Sequence, residues 1–335
     1  MNTRESNVLT DLHQLVTWHF GENYVINGCM RLLMERVCPD GPINCDNNLF
    51  GAITGDTTVQ VYGHGFNRSY NEHDIPLSSV WDGQEFIAYL FGEIGYDYTY
   101  ITADKIRANS AEYVEMVKDY IDKGIPVLAR TAVPFGFGSN YELIVGYEDG
   151  GKTLLYLDND TVELRREIVG QPRGDVWKIE WDWIFIGDKV RVIDKKTLYT
   201  NCLKRTVEML TSPDKYGCSY GAKAFLDWAD DIESGFFANG GEYTTYVCVL
   251  ATNAGRGLSY IYEMMPEFTF LKGLLSDLSN KMQDIWRELE GMNGGFSVTN
   301  GVMNDVEKRG RIAEKIREYA GLTDELTAAL RCELK

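Results

Sequence analysis

The chain has 335 residues, 44% of them hydrophobic, and a formal net charge of −17 at pH 7. That length suits one large domain or two modest ones, and the acidic balance argues against nucleic acid as a partner, because phosphate neutralisation needs clustered Lys and Arg. No apolar run reaches about 18 residues, so no stretch reads as a membrane-spanning helix, and no membrane partner is expected.

In chain order, residues 9–20 (LTDLHQLVTWHF) carry a rough helical stripe of Leu9, Leu12, Leu15, Val16 and Phe20. Asn27 reads as the N-cap of a second helix, in which Met30, Leu33, Met34 and Val37 recur at helical spacing until Pro39, Gly41 and Pro42 stop it. Cys29 then falls in the first turn, where exposed N–H groups and the positive end of the helix dipole favour a thiolate. The bland alternative for Cys29 is a small buried helix residue. Residues 46–70 read as loop, with a strand in TTVQVYG after the Thr54-Gly55-Asp56 turn. Further helices are expected over 78–94 and 110–123, with a strand in YDYTYIT between them.

The stretch 117–161 organises the rest. Gly124 closes a helix as a left-handed cap, the strand IPVLAR follows, then the loop PFGFGS, and then two strands, NYELIVGY and KTLLYLDND, joined by the hairpin signal EDGG. Alternation puts Asn140, Glu142 and Ile144 on one face and Tyr141, Leu143 and Val145 on the other. The second strand closes in Asp158, Asn159 and Asp160, so polar groups of both strands can meet at one end of the sheet. TVELRREI, VWKIEWDWIFIG and KVRVID continue as β structure. Beyond Lys195 the pattern turns helical, over 198–211, 219–236, 243–265, 267–291 and 302–333. The expected organisation is a domain over 1–195 and a helical C-terminal subdomain over 196–335.

The IPV strand, the strand ending in Gly146-Tyr147, the acidic turn and the strand closing in DND resemble the second half of papain-like cysteine peptidases. The likeness is to the bacteriocin-processing-peptidase-like branch and to the N-terminal domain of the butirosin-biosynthesis acyltransferase family. Thr54-Gly55-Asp56 and GAKAFLDWADDI are similar to stretches of the butirosin group. The resemblance covers roughly residues 22–195 and implies an α+β, papain-like fold in which a helix packs on an antiparallel sheet. It further implies a nucleophile at Cys29, a His at the position held here by Asn140, six residues before Gly146, and an orienting Asn or Asp near Asp158.

The chain departs from that pattern at the His. Its four histidines, His13, His19, His64 and His73, all precede residue 74, so the usual Cys–His–Asn triad is excluded by counting. Two substitutes are available: His64, in the Gly-flanked YGHGF turn, or Glu142, one pleat from Asn140, which serves as a thiol base only if burial raises its pKa. Asp158 and Asp160 with Glu142 offer oxygen ligands to a hard cation, but acidic strand ends are usually just solvated, and no metal is expected. The PFGFGS loop opens no helix and makes no phosphate cradle.

Seven cysteines at irregular spacing and no Cys/His cluster with zinc spacing leave no structural metal site and no disulfide framework. The N-terminus lacks a basic-then-apolar profile, which with the cysteine pattern leads to the expectation of a cytoplasmic protein with reduced thiols. Two functions follow. One is a degenerate peptidase-like protein that binds a small molecule or peptide in the ancestral cleft, with Glu142, His64 and Asp160 lining it and no cofactor. The other is a Cys29-dependent amide hydrolase or acyltransferase in peptide or specialised-metabolite maturation, its site made of Cys29, Asn140 and Asp158.

Overall fold

The computed structural model describes residues 4–10, 12, 25–38, 47–55, 57–58, 60–63, 83–132, 139–157, 163–170, 181–214, 218–236, 256–295 and 298–335. The fold is mixed α+β, built on a seven-stranded antiparallel sheet. Contacts divide the chain into two units, the first of residues 1–50 and 72–193, the second of residues 51–71 and 194–335.

The first unit holds the sheet. Its strands are β1 (Asn7–Val8), β3 (Tyr96–Ile101), β4 (Val127–Ala132), β5 (Ser139–Glu148), β6 (Thr153–Leu157), β7 (Arg165–Ile168) and β8 (Trp181–Lys189). They lie in the order β3-β8-β4-β5-β6-β7, with β1 added along β5. The three strands expected at the centre are neighbours: Val127 pairs with Ile144, and Leu143 with Leu157. The EDGG turn becomes a single 3₁₀ turn over Asp149–Gly151 in which all three residues take positive φ, the conformation for which two glycines are suited. Between Ile144 and Gly146 the register with β6 shifts, a β-bulge. At Gly146 a Cβ would fall 2.8 Å from the Asn7 carbonyl oxygen and 2.9 Å from Leu155 Cδ1. The bare Cα is what lets β1 and β6 close on this point, so the Gly of the Gly-Tyr pair is a packing requirement.

One sheet face is covered by α4 (Ala103–Ala108) and α5 (Ser110–Asp122), whose Ile106, Val114, Val117 and Ile121 pack with Val127, Ala129, Ile144, Tyr156, Trp181 and Trp183. Gly124 ends α5's turn at φ +82° as expected. On the opposite face Phe86 of α3 (Gly83–Ile94) meets Tyr141 edge-on at 6.3 Å, and Phe91 lies 5.1 Å from Tyr98. The helix α1 (Val25–Val37) packs on β5 and β4, with Val25 through Met34 all buried.

The second unit holds β2 (Val61–Gly63) paired with β9 (Cys218–Tyr220). Its helices include α6 (Lys195–Leu210), α7 (Gly221–Ser234), α8 (Arg256–Met264), α9 (Thr269–Leu274), α10 (Asn280–Gly291), α11 (Asn300–Met303) and α12 (Val306–Glu333). A π-helical segment, Leu275–Ser279, joins α9 to α10. Phe225, Trp228 and Ile232 of α7 pack with Ile312, Ile316 and Tyr319 of α12 around Tyr62. Asp194 caps α6 by accepting from the Lys196 and Thr197 amides, and Asp305 caps α12 in the same way.

Several sequence expectations are corrected here. Residues 47–54 form a helix, α2 (Asn47–Thr54), where loop was expected; Gly51, Ile53 and Thr54 are poor helix formers, and burial of Leu49, Phe50, Ala52 and Ile53 outweighs propensity. KVRVID does not continue the sheet: β8 ends at Lys189, and Val190 and Val192 stand exposed. The C-terminal part is not purely helical, since β9 lies in it. Of the helix expected over 9–20, residues 9, 10 and 12 are described and are not helical, Leu9 donating its amide to the Val145 carbonyl beside β5, while its other residues and the first half of the helix expected over 243–265 fall outside the described residues.

Candidate functional site

Strand ends converge at one end of the sheet. β4 finishes at Ala132 beside the start of β5 at Ser139, β6 finishes at Leu157, and β7 and β8 begin at Arg165 and Trp181. The register fixes which side chains meet. Ala129 sits opposite Glu142, Ile144 opposite Tyr156, Tyr156 opposite Arg165, and Thr131 opposite Trp181. Directly opposed residues share a face, so Glu142, Tyr156, Arg165, Glu167 and Trp181 belong to the α5 side.

Glu142 is 1% exposed. Arg165 donates to both its carboxylate oxygens, from Nη1 to Oε1 at 2.6 Å and from Nη2 to Oε2, while Nε reaches Glu167 Oε1 at 3.0 Å. The guanidinium carbon lies 5.1 Å from the Tyr156 ring centre and 5.5 Å from that of Trp181, and these two rings are 5.7 Å apart. The Arg fork thus meets a carboxylate bidentately and stacks on aromatic rings at once, a combination Lys cannot supply. Burial, followed by the charges of Glu167 and Glu142, raises the pKa of the Tyr156 phenol and keeps it protonated. The Trp181 indole N–H is buried without a hydrogen-bond partner. That donor is the unfilled position of the cluster, since buried polar groups are normally satisfied.

On the opposite face a second network joins Arg130 of β4, Asp182 of β8 and Tyr100 of β3. The Tyr100 hydroxyl donates to Asp182 Oδ2 at 2.5 Å, Arg130 Nη1 reaches the same oxygen at 3.2 Å, and the Ala103 amide donates to Oδ1 at 2.8 Å. With every Asp182 oxygen engaged between three elements, this network pins β3, β4 and β8 to the start of α4.

The expected site residues fare differently. Cys29 is on α1 and 0% exposed. Residues 25–27 are already helical in α1, described over Val25–Val37, so Asn27 is not its N-cap, and Cys29 lies past the first-turn N–H groups that were expected to favour its thiolate. The strand carrying positions 140 and 142 is packed by α1. Asn140 is in β5 opposite Thr131, and its side chain lies outside what is described. His64, Asp158 and Asp160 lie outside the described residues, as do the other three histidines. Glu142 faces the same way as Ile144, as alternation requires, and is buried; its charge partner is a cation rather than other acids alone. Among the described residues no group of three or more His, Cys, Asp or Glu is placed to hold a metal ion, and no helix is long and apolar enough to cross a membrane.

Sequence reasoning missed Arg165, Tyr156 and Trp181. The signal for Arg165 was present: TVELRREI alternates, which puts Arg165 and Glu167 on one side of a strand that follows the Glu142 hairpin.

No family model matches the chain, and no curated protein matches it.

Proposed function

We propose that this chain is a papain-like, cysteine-peptidase-like protein without working acid–base machinery, which binds a small molecule or short peptide at the sheet end built around Glu142 and Arg165. In this reading the helices over 196–335 form the C-terminal subdomain that follows such a domain. The observation that carries it is the state of Glu142. A carboxylate whose two oxygens both accept from one guanidinium is committed to that pair and is not positioned to take a thiol proton. The thiol it would serve is fully buried, the condition of a structural rather than a reactive cysteine. No histidine follows His73 in the sequence. What the cluster offers a ligand is recognition: two aromatic faces, an Arg held in fixed orientation, and a buried indole N–H awaiting an acceptor.

The test has two arms. Peptide amides and acyl thioesters are incubated with the natural protein and with Cys29→Ala; turnover should be equal and at background in both. A thermal-shift screen of small molecules and short peptides is then repeated with Trp181→Phe, which keeps the ring and removes the donor. A ligand of this site loses affinity in Trp181→Phe by about tenfold. Turnover that vanishes in Cys29→Ala overturns the reading and puts a Cys29-dependent hydrolase or acyltransferase in its place.

A further inference from the structure

We propose that the margin of β5 over Val145–Glu148 is a peptide-docking site, which takes an extended segment of the form Arg-x-x-Asn-x-Leu by strand addition and is filled in this structure by the chain's own residues 4–9. The site lies toward the other end of β5 from Glu142 and does not depend on the reading given to that cluster.

β4 covers one margin of β5 only as far as Ile144, which pairs with Val127. β6 takes the other margin, up to Glu148 opposite Thr153. The length that β4 leaves is a row of backbone groups to which a further strand can add. β1 fills it, with Asn7 opposite Tyr147 and Val8 opposite Gly146, and runs in the same direction as β4. The Leu9 amide donates to the Val145 carbonyl at 2.9 Å, and the Gly150 amide donates to the Glu5 carbonyl at 2.8 Å.

The slot selects side chains as well as backbone. Asn7 and Leu9, two residues apart on an extended segment, share a side. Asn7 Nδ2 donates to Asp122 Oδ1 at 2.8 Å, at the C-terminal end of α5, and Leu9 packs against the core beneath that helix. Arg4 Nη1 lies 4.0 Å from the same Asp122 oxygen, which also accepts from the Tyr147 hydroxyl. At Gly146 the missing Cβ leaves a notch for the added backbone, since a Cβ there would fall 2.8 Å from the Asn7 carbonyl oxygen and 3.1 Å from Val8 Cα. A cation, a side-chain amide and an apolar residue, at the spacing of Arg4, Asn7 and Leu9, are therefore what a partner must carry.

Receptor and occupant are held unequally. Val145, Tyr147, Leu154 and Leu155 are buried, and β5 is fixed by β4 and β6 whatever lies on its free margin. Arg4, Glu5, Ser6 and Thr10 are exposed, and Asn7, Val8 and Leu9 only half-buried. A segment with so few buried contacts opens at much lower free energy than the sheet beneath it, and its opening leaves the slot formed. A partner then competes with a tethered occupant whose effective concentration is on the order of millimolar. Residues 4–9 thus act as an internal competitor that sets the affinity a partner must reach.

The experiment uses the full chain and a fluorescein-labelled peptide of residues 3–10, TRESNVLT, followed by fluorescence anisotropy. Leu9→Pro removes the N–H that the Val145 carbonyl accepts and loosens the internal occupant. Saturable binding of the peptide is expected in Leu9→Pro, and binding about tenfold or more weaker in the natural protein. The same peptide with Asp in place of its Asn should bind Leu9→Pro about tenfold or more weakly, because Asp122 repels it. Should Leu9→Pro fail to fold, the full-length Asn7→Asp variant, altered at a half-buried position, opens the slot by the same repulsion and takes its place. Absence of saturable binding by the folded, opened variant overturns the proposal. Equal binding of a scrambled peptide, or equal binding by the natural protein and the opened variant, overturns it too.

Discussion

Arg165, on the outermost strand β7, reaches across Tyr156 of β6 to the carboxylate of Glu142 on β5, which is 1% exposed. The pair ties a four-residue edge strand to the centre of the sheet. It also decides what Glu142 can do, because a residue that reads from sequence as a candidate base is here one half of an ion pair.

Removing one half of that pair leaves a buried charge. Glu142→Gln should cost about 3 kcal/mol of stability, in the range for breaking a buried ion pair, and should lower the melting temperature by several degrees. It is the Arg165 contact that makes this substitution costly. Glu142→Leu combined with Arg165→Met should be less destabilised than either single variant, since no buried charge is then orphaned. Denaturant midpoints of the three proteins decide it, and strictly additive losses would show that the two residues are not coupled.

Gly146 gives a second prediction. Its Cβ position is occupied by the Asn7 carbonyl oxygen and Leu155 Cδ1. Gly146→Ala should cost about 1–3 kcal/mol by overpacking and should loosen β1 first. The reporter is hydrogen exchange at the Leu9 amide, which donates to the Val145 carbonyl at 2.9 Å. Exchange there should accelerate more than at amides in the centre of β4.

Stability should fall at alkaline pH through buried tyrosines. Burial, helped by the Asp122 carboxylate that accepts its hydroxyl at 2.9 Å, pushes the Tyr147 phenol up to about 12 from 10.0. The folded state therefore holds this proton more tightly than the unfolded chain. Its contribution is fully present below pH 10 and is lost as pH rises from 10 toward 12. Tyr100, Tyr156 and Tyr319 are shifted in the same direction, in each case first by burial. Denaturant unfolding at pH 9, 10 and 11 should show a steepening loss, and Tyr147→Phe should make it shallower. A flat profile across that range would contradict the burial of these phenols.

How much of this was legible in the sequence depends on which interactions each feature needs. The order β4-β5-β6 could be read because it is local: Gly124, the EDGG turn and strict alternation specify a hairpin and the strand before it. The helix α2 could not, because NNLFGAIT has weak intrinsic preference and takes its shape from burial of Leu49, Phe50 and Ile53. The face of Glu142 was readable from alternation. The alternation of TVELRREI likewise gave the side of Arg165, but not that it pairs with Glu142, because the register of β7 on β6 is set by residues outside any one motif. The start of α1 was misplaced, since Asn27 reads as a cap yet lies 3% exposed inside the helix, and that slip removed the first-turn argument for Cys29.

The most direct measurement is the pH dependence of iodoacetamide labelling at Cys29, in the natural protein and in Asn140→His. The reading of a non-catalytic, peptidase-like protein predicts that the natural protein labels at Cys29 more slowly than an unstructured thiol at every pH from 5 to about 9, because the side chain is 0% exposed and lies beyond the first turn of α1. Asn140→His tests whether the resemblance extends to geometry, and faster labelling there would show that position 140 reaches the thiol. Rapid labelling of the natural protein with a midpoint well below pH 7 would mean that a base or cation already activates Cys29, and would contradict the account.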